Sequence, residues 1–229
     1  MQLEVDRLSK RFGRIQALDG VSFHVGSGEI LGLIGPNGAG KSTLFECLAG
    51  VLPFDGGCIT SDGRPATSQN LFYVPDGIAP WPQQPVGWAL DYAIRFFGGR
   101  VGLRAEVIGQ LDLEGLLHQP MGTLSKGQRK RALIAFGLLT PQPMLLIDEP
   151  LDGLDLRQMR EVATALRVHV SRGRTLFLSI HQIGDAARFC DRFILLSGGR
   201  VRGEGTIEEL AKASNVQSLD LEEVFLALT

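Results

Sequence analysis

Apolar and polar residues alternate through residues 2–25, as at Leu3 and Val5 and again at Val21, Phe23 and Val25. A period of two predicts half-buried strands, here of an antiparallel piece. Residues 29–34 break that rhythm: after Glu29 they run Ile30, Leu31, Gly32, Leu33, Ile34, a strand buried on both faces. A Gly-rich turn and a helix over 41–50 follow. Residues 51–74 hold short strands, with turn signals at Asp55-Gly56-Gly57 and Ser61-Asp62-Gly63. Residues 75–87, rich in Pro, Gly and Trp, read as a loop. Residues 88–139 read as helical from the spacing of Trp88, Ala89, Leu90, Ala93, Ile94 and Phe97. Buried strands recur at 144–147 and 175–180, and a further strand at 193–196 turns through Ser197-Gly198-Gly199 into one at 200–203. Helices are expected at 156–170, near 184–189, and in short stretches at 206–213 and 220–228.

Strands alternating with helices predict an α/β fold with a mostly parallel sheet. The N-terminal strands add an antiparallel β subdomain. The helical stretch 75–140 interrupts the alternation and reads as an inserted α-helical subdomain. It divides the core into about 1–74 and 141–229 of a single domain spanning 1–229. The length of 229 residues suits one domain with a substantial core. Ligands of such sheets bind at the carboxyl ends of the parallel strands, so the residues just after each buried strand are the ones to inspect.

Composition narrows the classes. Hydrophobic residues make up 44% and charged residues 21%, which excludes a disordered or fibrous chain. The formal net charge of -2 gives no global footprint for nucleic acid, and none is expected as a partner. No apolar run is long enough to span a membrane, and the acidic, alternating start is unlike a signal peptide. Cys47, Cys58 and Cys190 are scattered and odd in number, which fits a reducing compartment better than a disulfide framework or a zinc site.

Three strand ends carry chemistry. After the first buried strand, Gly35, Asn37, Gly38, Ala39, Gly40, Lys41, Ser42 and Thr43 fall in the pattern G-x-x-x-x-G-K-[ST]. Its glycines free backbone N–H groups to cradle phosphate oxygens, and the following helix adds its positive end. Lys41 brings a full charge to the outer phosphates, and the Ser42 hydroxyl can ligate Mg²⁺. After the second strand come Asp148 and Glu149. Adjacent carboxylates at the end of an apolar strand are costly without a task. Asp148 suits a role on Mg²⁺, and Glu149 suits positioning or deprotonating the attacking water. After the third strand comes His181. By topology alone two readings stand for it, a merely structural imidazole or one bonded to a γ-phosphate or the attacking water. The three ends together imply Mg²⁺-dependent nucleoside triphosphate hydrolysis. No N-K-x-D guanine-reading motif is present, which weighs against a GTPase.

Leu124, Ser125, Lys126, Gly127 and Gln128 precede Asp148 by about twenty residues. With the phosphate loop and the run from Met144 to Pro150, they make the chain resemble the nucleotide-binding domain of ABC (ATP-binding cassette) transporters over essentially its whole length, with a P-loop NTPase core. Ser125 and Gly127 open a helix, which favours a phosphate; taken alone, an ordinary N-cap Ser with a glycine turn is the better account of them. The resemblance implies that this signature faces the ATP of a second copy, so that two ATP molecules are sandwiched head to tail. It implies further that Phe12 stacks on adenine, that Asp155 communicates between the paired sites, and that His181 is the switch histidine.

Two departures stand out. Where the family usually has Gln near Mg²⁺, this chain has Asp76, a carboxylate that can hold the metal or its water but cannot donate as an amide does. Lys126 stands where the signature usually has Gly. Acidic replacement and the C-terminal ending resemble exporter-type, ABC-2-like members. The resemblance implies integral membrane permease subunits and a second ATPase copy as partners, and a cytoplasmic location peripheral on the inner face of the membrane. For the apolar loop around Trp81 and Trp88 two readings stand: a groove receiving a helix of the permease, or packing within the helical subdomain. A soluble ABC-type ATPase acting on DNA or the ribosome is the alternative function. A single cassette, no long heptad run and the net charge weigh against it.

Overall fold

The computed structural model describes every residue except Gln217 and the side chain of Asp185. The N-terminal alternation folds as β1 (Leu3–Phe12) and β2 (Ile15–Val25), with inward Leu3, Val5 and Leu8 buried and their neighbours exposed. With β4 (Gly56–Ser61) and β5 (Arg64–Pro65) they form an antiparallel sheet in the order β2-β1-β4-β5.

The second sheet contains the fully buried strands. β3 (Ile30–Ile34), β6 (Leu71–Val74), β7 (Met144–Asp148), β8 (Thr175–Ile180), β9 (Arg192–Ser197) and β10 (Arg200–Gly205) lie in the order β10-β9-β3-β8-β7-β6. Every pairing from β9 to β6 is parallel, and only β10 runs antiparallel. The register sets Ile34 beside Ile180 and Asp148 beside Ser179, so the residues after β3, β7 and β8 reach one edge together.

Period-two alternation splits these strands between two cores, one on each sheet face. Leu31, Leu33, Leu146 and Phe177 face α1 (Lys41–Leu48) and the antiparallel sheet; Ile30, Leu145, Ile147 and Leu178 face the helical layer. Phe177 anchors the first core edge-to-face between Phe23 and Phe45, at 5.7 and 4.9 Å between centroids. Burying each such ring contributes about 1.5–3 kcal/mol.

The helical expectation over 88–139 needs correction. The segment holds α2 (Val86–Phe97), α3 (Arg104–Gln110) and α4 (Lys126–Leu139), joined by loops and short 3-10 turns. Glycines at 98, 99, 102, 115 and 122, with Pro120, interrupt the helical spacing. At the other end Pro85, with φ of -61°, starts α2 two residues ahead of the expected boundary. From Lys130 to its end α4 is buried on all sides, including Lys130 and Arg131, because α2, α3 and the β6–β7 edge enclose it. α5 (Leu156–Ser171), α6 (Ile183–Phe189), α7 (Ile207–Ser214) and α8 (Leu221–Leu228) complete the layer. No helix among the described residues is long and apolar enough to cross a membrane.

Candidate functional site

The chain leaves β3 at Ile34 and must turn sharply into α1. A Cβ on Gly35 would meet the Leu196 carbonyl oxygen at 2.2 Å, and Gly40 sits at φ 104° with the Ala17 carbonyl closing on it. Only glycine fits both places. No side chain caps α1, so the N–H groups of its first turn remain open to a ligand. Lys41 curls back over the loop and donates to the carbonyls of Gly35 and Pro36 at 2.8 and 3.2 Å. Burial lowers its pKa, while Glu149 and Asp148 pull it up again. Asn37, Gly38, Ala39 and Thr43 complete the 35–43 turn, with the Ala39 N–H bonded to the Pro36 carbonyl.

Asp148 ends β7 nearly buried and collects three hydroxyls. Ser42 Oγ donates to its Oδ2 at 2.9 Å, Ser179 Oγ donates to its Oδ1, and the Tyr73 hydroxyl reaches Oδ2 at 3.4 Å. Three donors offset the cost of holding a carboxylate away from water. Glu149 follows at φ 48°, a left-handed backbone rarely adopted by a side-chain-bearing residue. Ser179 Oγ accepts the Glu149 N–H at 3.0 Å, and the Asp152 N–H donates to the Glu149 carbonyl at 3.2 Å. Glu149 and the exposed His181 both line a cavity of about 130 Å³. Glu149 and His181 are thus brought together, as the shared sheet edge requires.

Asp76 lies at the end of β6, paired with the buried Lys130 Nζ, which also reaches the Asp148 carbonyl oxygen at 3.4 Å. The hydrogen bond and charge of Lys130, with the Gly77 N–H, overcome the effect of burial and hold the Asp76 carboxyl below its ordinary value. One oxygen each of Asp76, Glu149 and Asp152 lies within 4.8 Å of the others.

Ser125 is the N-cap of α4 and forms a reciprocal capping box with Gln128, at 3.3 and 3.0 Å. Lys126 donates to Asp152 at 2.5 Å, and a Cβ on Gly127 would stand 3.0 Å from the Gly153 carbonyl oxygen. The signature therefore packs on the loop after Glu149. No hydrogen bond among the described residues joins it to the phosphate loop. Asp155 caps α5 by the same device, accepting from the Gln158 N–H at 2.9 Å. Phe12 is not a core aromatic. It is 46% exposed, at the hairpin end near Ala17, and Lys10 Nζ sits 5.4 Å from its ring centre.

The aromatic loop packs within the helical layer, one of the two readings open in the sequence, and leaves a groove beside it. Trp81 packs 5.0 Å from Tyr92 and 5.8 Å from Phe136, yet Trp81 and Trp88 stay 39% and 41% exposed. Trp81 borders an apolar groove of about 200 Å³ between β6 and the helical layer, and Trp88 packs against Trp81 at 5.6 Å between centroids.

Sequence reasoning missed Lys130, Ser179 and Asp152. A lysine inside a helix with no polar face, and a serine inside an otherwise apolar strand, were the available signals.

Comparison with known proteins agrees with this geometry. The ABC transporter family profile matches residues 18–152. A Nod factor export ATP-binding protein I of Rhizobium sp. (strain N33) is 35% identical over 89% of this chain and 70% of its own length. A sulfate/thiosulfate import ATP-binding protein of Cucumis sativus is 31% identical over 92% of this chain and 64% of its own. A solved structure of an ATP-binding subunit of an ABC transporter superposes with a TM-score of 0.91 at 27% identity, covering 100% of this chain and 99% of that one. The chain belongs to the ABC transporter family, as an ATP-binding subunit with the fold and the ATPase activity of that family.

Proposed function

We propose that the chain hydrolyses ATP in an Mg²⁺-dependent reaction at the interface of a head-to-tail dimer, and that this drives export through separate integral membrane permease subunits. The observation that carries the reading is the convergence of the 35–43 loop, the Ser42–Asp148 contact and the Glu149–His181 cavity on one sheet edge. Phe12 stacks on the adenine. The N–H groups of the loop and Lys41 hold the phosphates. Ser42 and Asp148 are oxygen donors already within 2.9 Å of each other, a set that fits a hard divalent cation, with Asp76 as a further carboxylate nearby. When bound there, Mg²⁺ would neutralise charge developing on the β- and γ-phosphates.

Glu149 orients the attacking water and takes its proton, and His181 on the other wall of the cavity bonds the γ-phosphate. Ser125, Gly127 and Gln128 serve the ATP of the second copy, across which Asp155 relays the state of the paired site. Closure carries the helical subdomain with it, and the groove beside Trp81 receives a helix of the permease on the inner face of the membrane. The relatives named for export and for import make the direction the finer part of this reading.

Glu149→Gln tests it. The variant should lose ATP hydrolysis and accumulate as an ATP-bound dimer in size-exclusion chromatography. Hydrolysis at the wild-type rate would remove Glu149 from the proposed role.

A further inference from the structure

At the sheet end opposite the phosphate loop, the segments entering β7 and β8 pass the last turns of α4 and α5. A cavity of about 120 Å³ opens there, lined by Arg100, Arg172, Arg174, His169, Gln142 and Thr140. Its charges do not balance. Arg172 is paired with Glu106 through two contacts of 3.1 and 2.7 Å. Arg174 donates to the carbonyls of Leu138 and Gln142 at 2.8 and 2.9 Å and to Thr140 Oγ1 at 2.9 Å, all neutral acceptors. These use three of the five N–H groups of a guanidinium. Among the described residues neither Arg174 nor Arg100 has a carboxylate partner. Burial, with the Arg100 charge beside it, lowers the Arg174 pKa to about 9, so the group stays cationic at neutral pH.

Two buried polar atoms of the lining residues also lack a partner: His169 Nε2 and Gln142 Oε1. Their side chains belong to residues only 3% and 8% exposed. Burial and the surrounding arginines hold His169 neutral, at about 4. A neutral imidazole can present Nε2–H as a donor, whereas the Gln142 amide oxygen only accepts. The surplus of cations calls for an anion, and the orphaned acceptor calls for a hydrogen on that anion. Monohydrogen phosphate carries both, charged oxygens and a P–OH; sulfate has no such proton. The volume suits a group of a few heavy atoms and is well below the roughly 300–1,000 Å³ of sites for larger organic ligands.

We propose that this cavity binds inorganic phosphate, at a site separate from the nucleotide loop. Bound there, phosphate ties Arg100, on the segment following α2, to Arg174 at the root of β8. Calorimetric titration of the full chain tests this, with the nucleotide loop taken out of competition in two ways, by saturating ADP and by Lys41→Ala. One phosphate should bind per chain in both backgrounds. Exposed Arg100→Gln should weaken it at least tenfold without changing the thermal midpoint of the empty protein, and sulfate should bind at least tenfold more weakly than phosphate. Loss of phosphate binding in either background overturns the site. So does phosphate affinity that Arg100→Gln leaves unchanged, and sulfate binding as tight as phosphate overturns the assigned ligand.

Discussion

Lys130 is the residue through which the helical layer grips the nucleotide edge, and Lys130→Met measures that grip. The methionine keeps most of the volume of the stem and removes the ammonium. Lys130 is 5% exposed and its partner Asp76 32%. Severing a fully buried ion pair costs about 3–5 kcal/mol. Asp76 keeps water on part of its surface, so the orphaned carboxylate loses less, about 1–3 kcal/mol. Asp76→Asn strands the more deeply buried ammonium and falls in the range of about 3–5 kcal/mol. The double variant removes both charges and should cost less than the sum of the singles, by about 1–3 kcal/mol.

Urea unfolding of the four proteins gives each term. The pH dependence fixes the sign. A carboxyl held below its ordinary 3.8 in the folded state stabilises the protein above that value and loses the benefit as pH falls through the folded pKa. The cost of Lys130→Met should therefore be constant from pH 7 to about 5 and shrink below about 4. Strictly additive single variants, or a cost that grows on acidification, would refute the pairing.

Glu149→Gly should relax the left-handed backbone and stabilise the fold by about 1 kcal/mol, while phosphate release from ATP stops; a less stable protein in urea would contradict the strain. Gly35→Ala drives a methyl into the Leu196 carbonyl and should cost at least about 1–3 kcal/mol and the nucleotide affinity with it, read by thermal shift with and without ATP. Phe12→Ala should weaken ATP more than inorganic triphosphate in competition binding, and equal losses would take the ring off the adenine.

The legible parts of this molecule are those that one local rule dictates. Apolar runs fixed β3, β7 and β8, and the residues that follow them lie on one edge because parallel strands in register must end together. The connections on either side of α3 are hidden because apolar spacing persists through glycines and prolines that break the helix, so the period alone does not show the turns. Lys130 was out of reach for another reason. Its partner Asp76 is 54 positions away, and nothing local in either residue announces a pairing that only the enclosure of α4 creates. Ser125 shows the converse: its cap is local and readable, and in the single chain capping is what its side chain does.

The enclosure of α4 has a mechanical consequence. Enclosed from Lys130 onward, the helix has little room to slide or roll within its layer, while its first turn stays partly open to solvent. Its 14 residues make a rod about 21 Å long, and a 10° tilt about one end displaces the other by about 4 Å. Phe136, on the wall of the aromatic groove, rides about 15 Å from Lys126 on that rod, and Leu138 at its far end anchors Arg174. One rigid axis thus carries the signature's first turn, a wall of the aromatic groove and a carbonyl that holds Arg174.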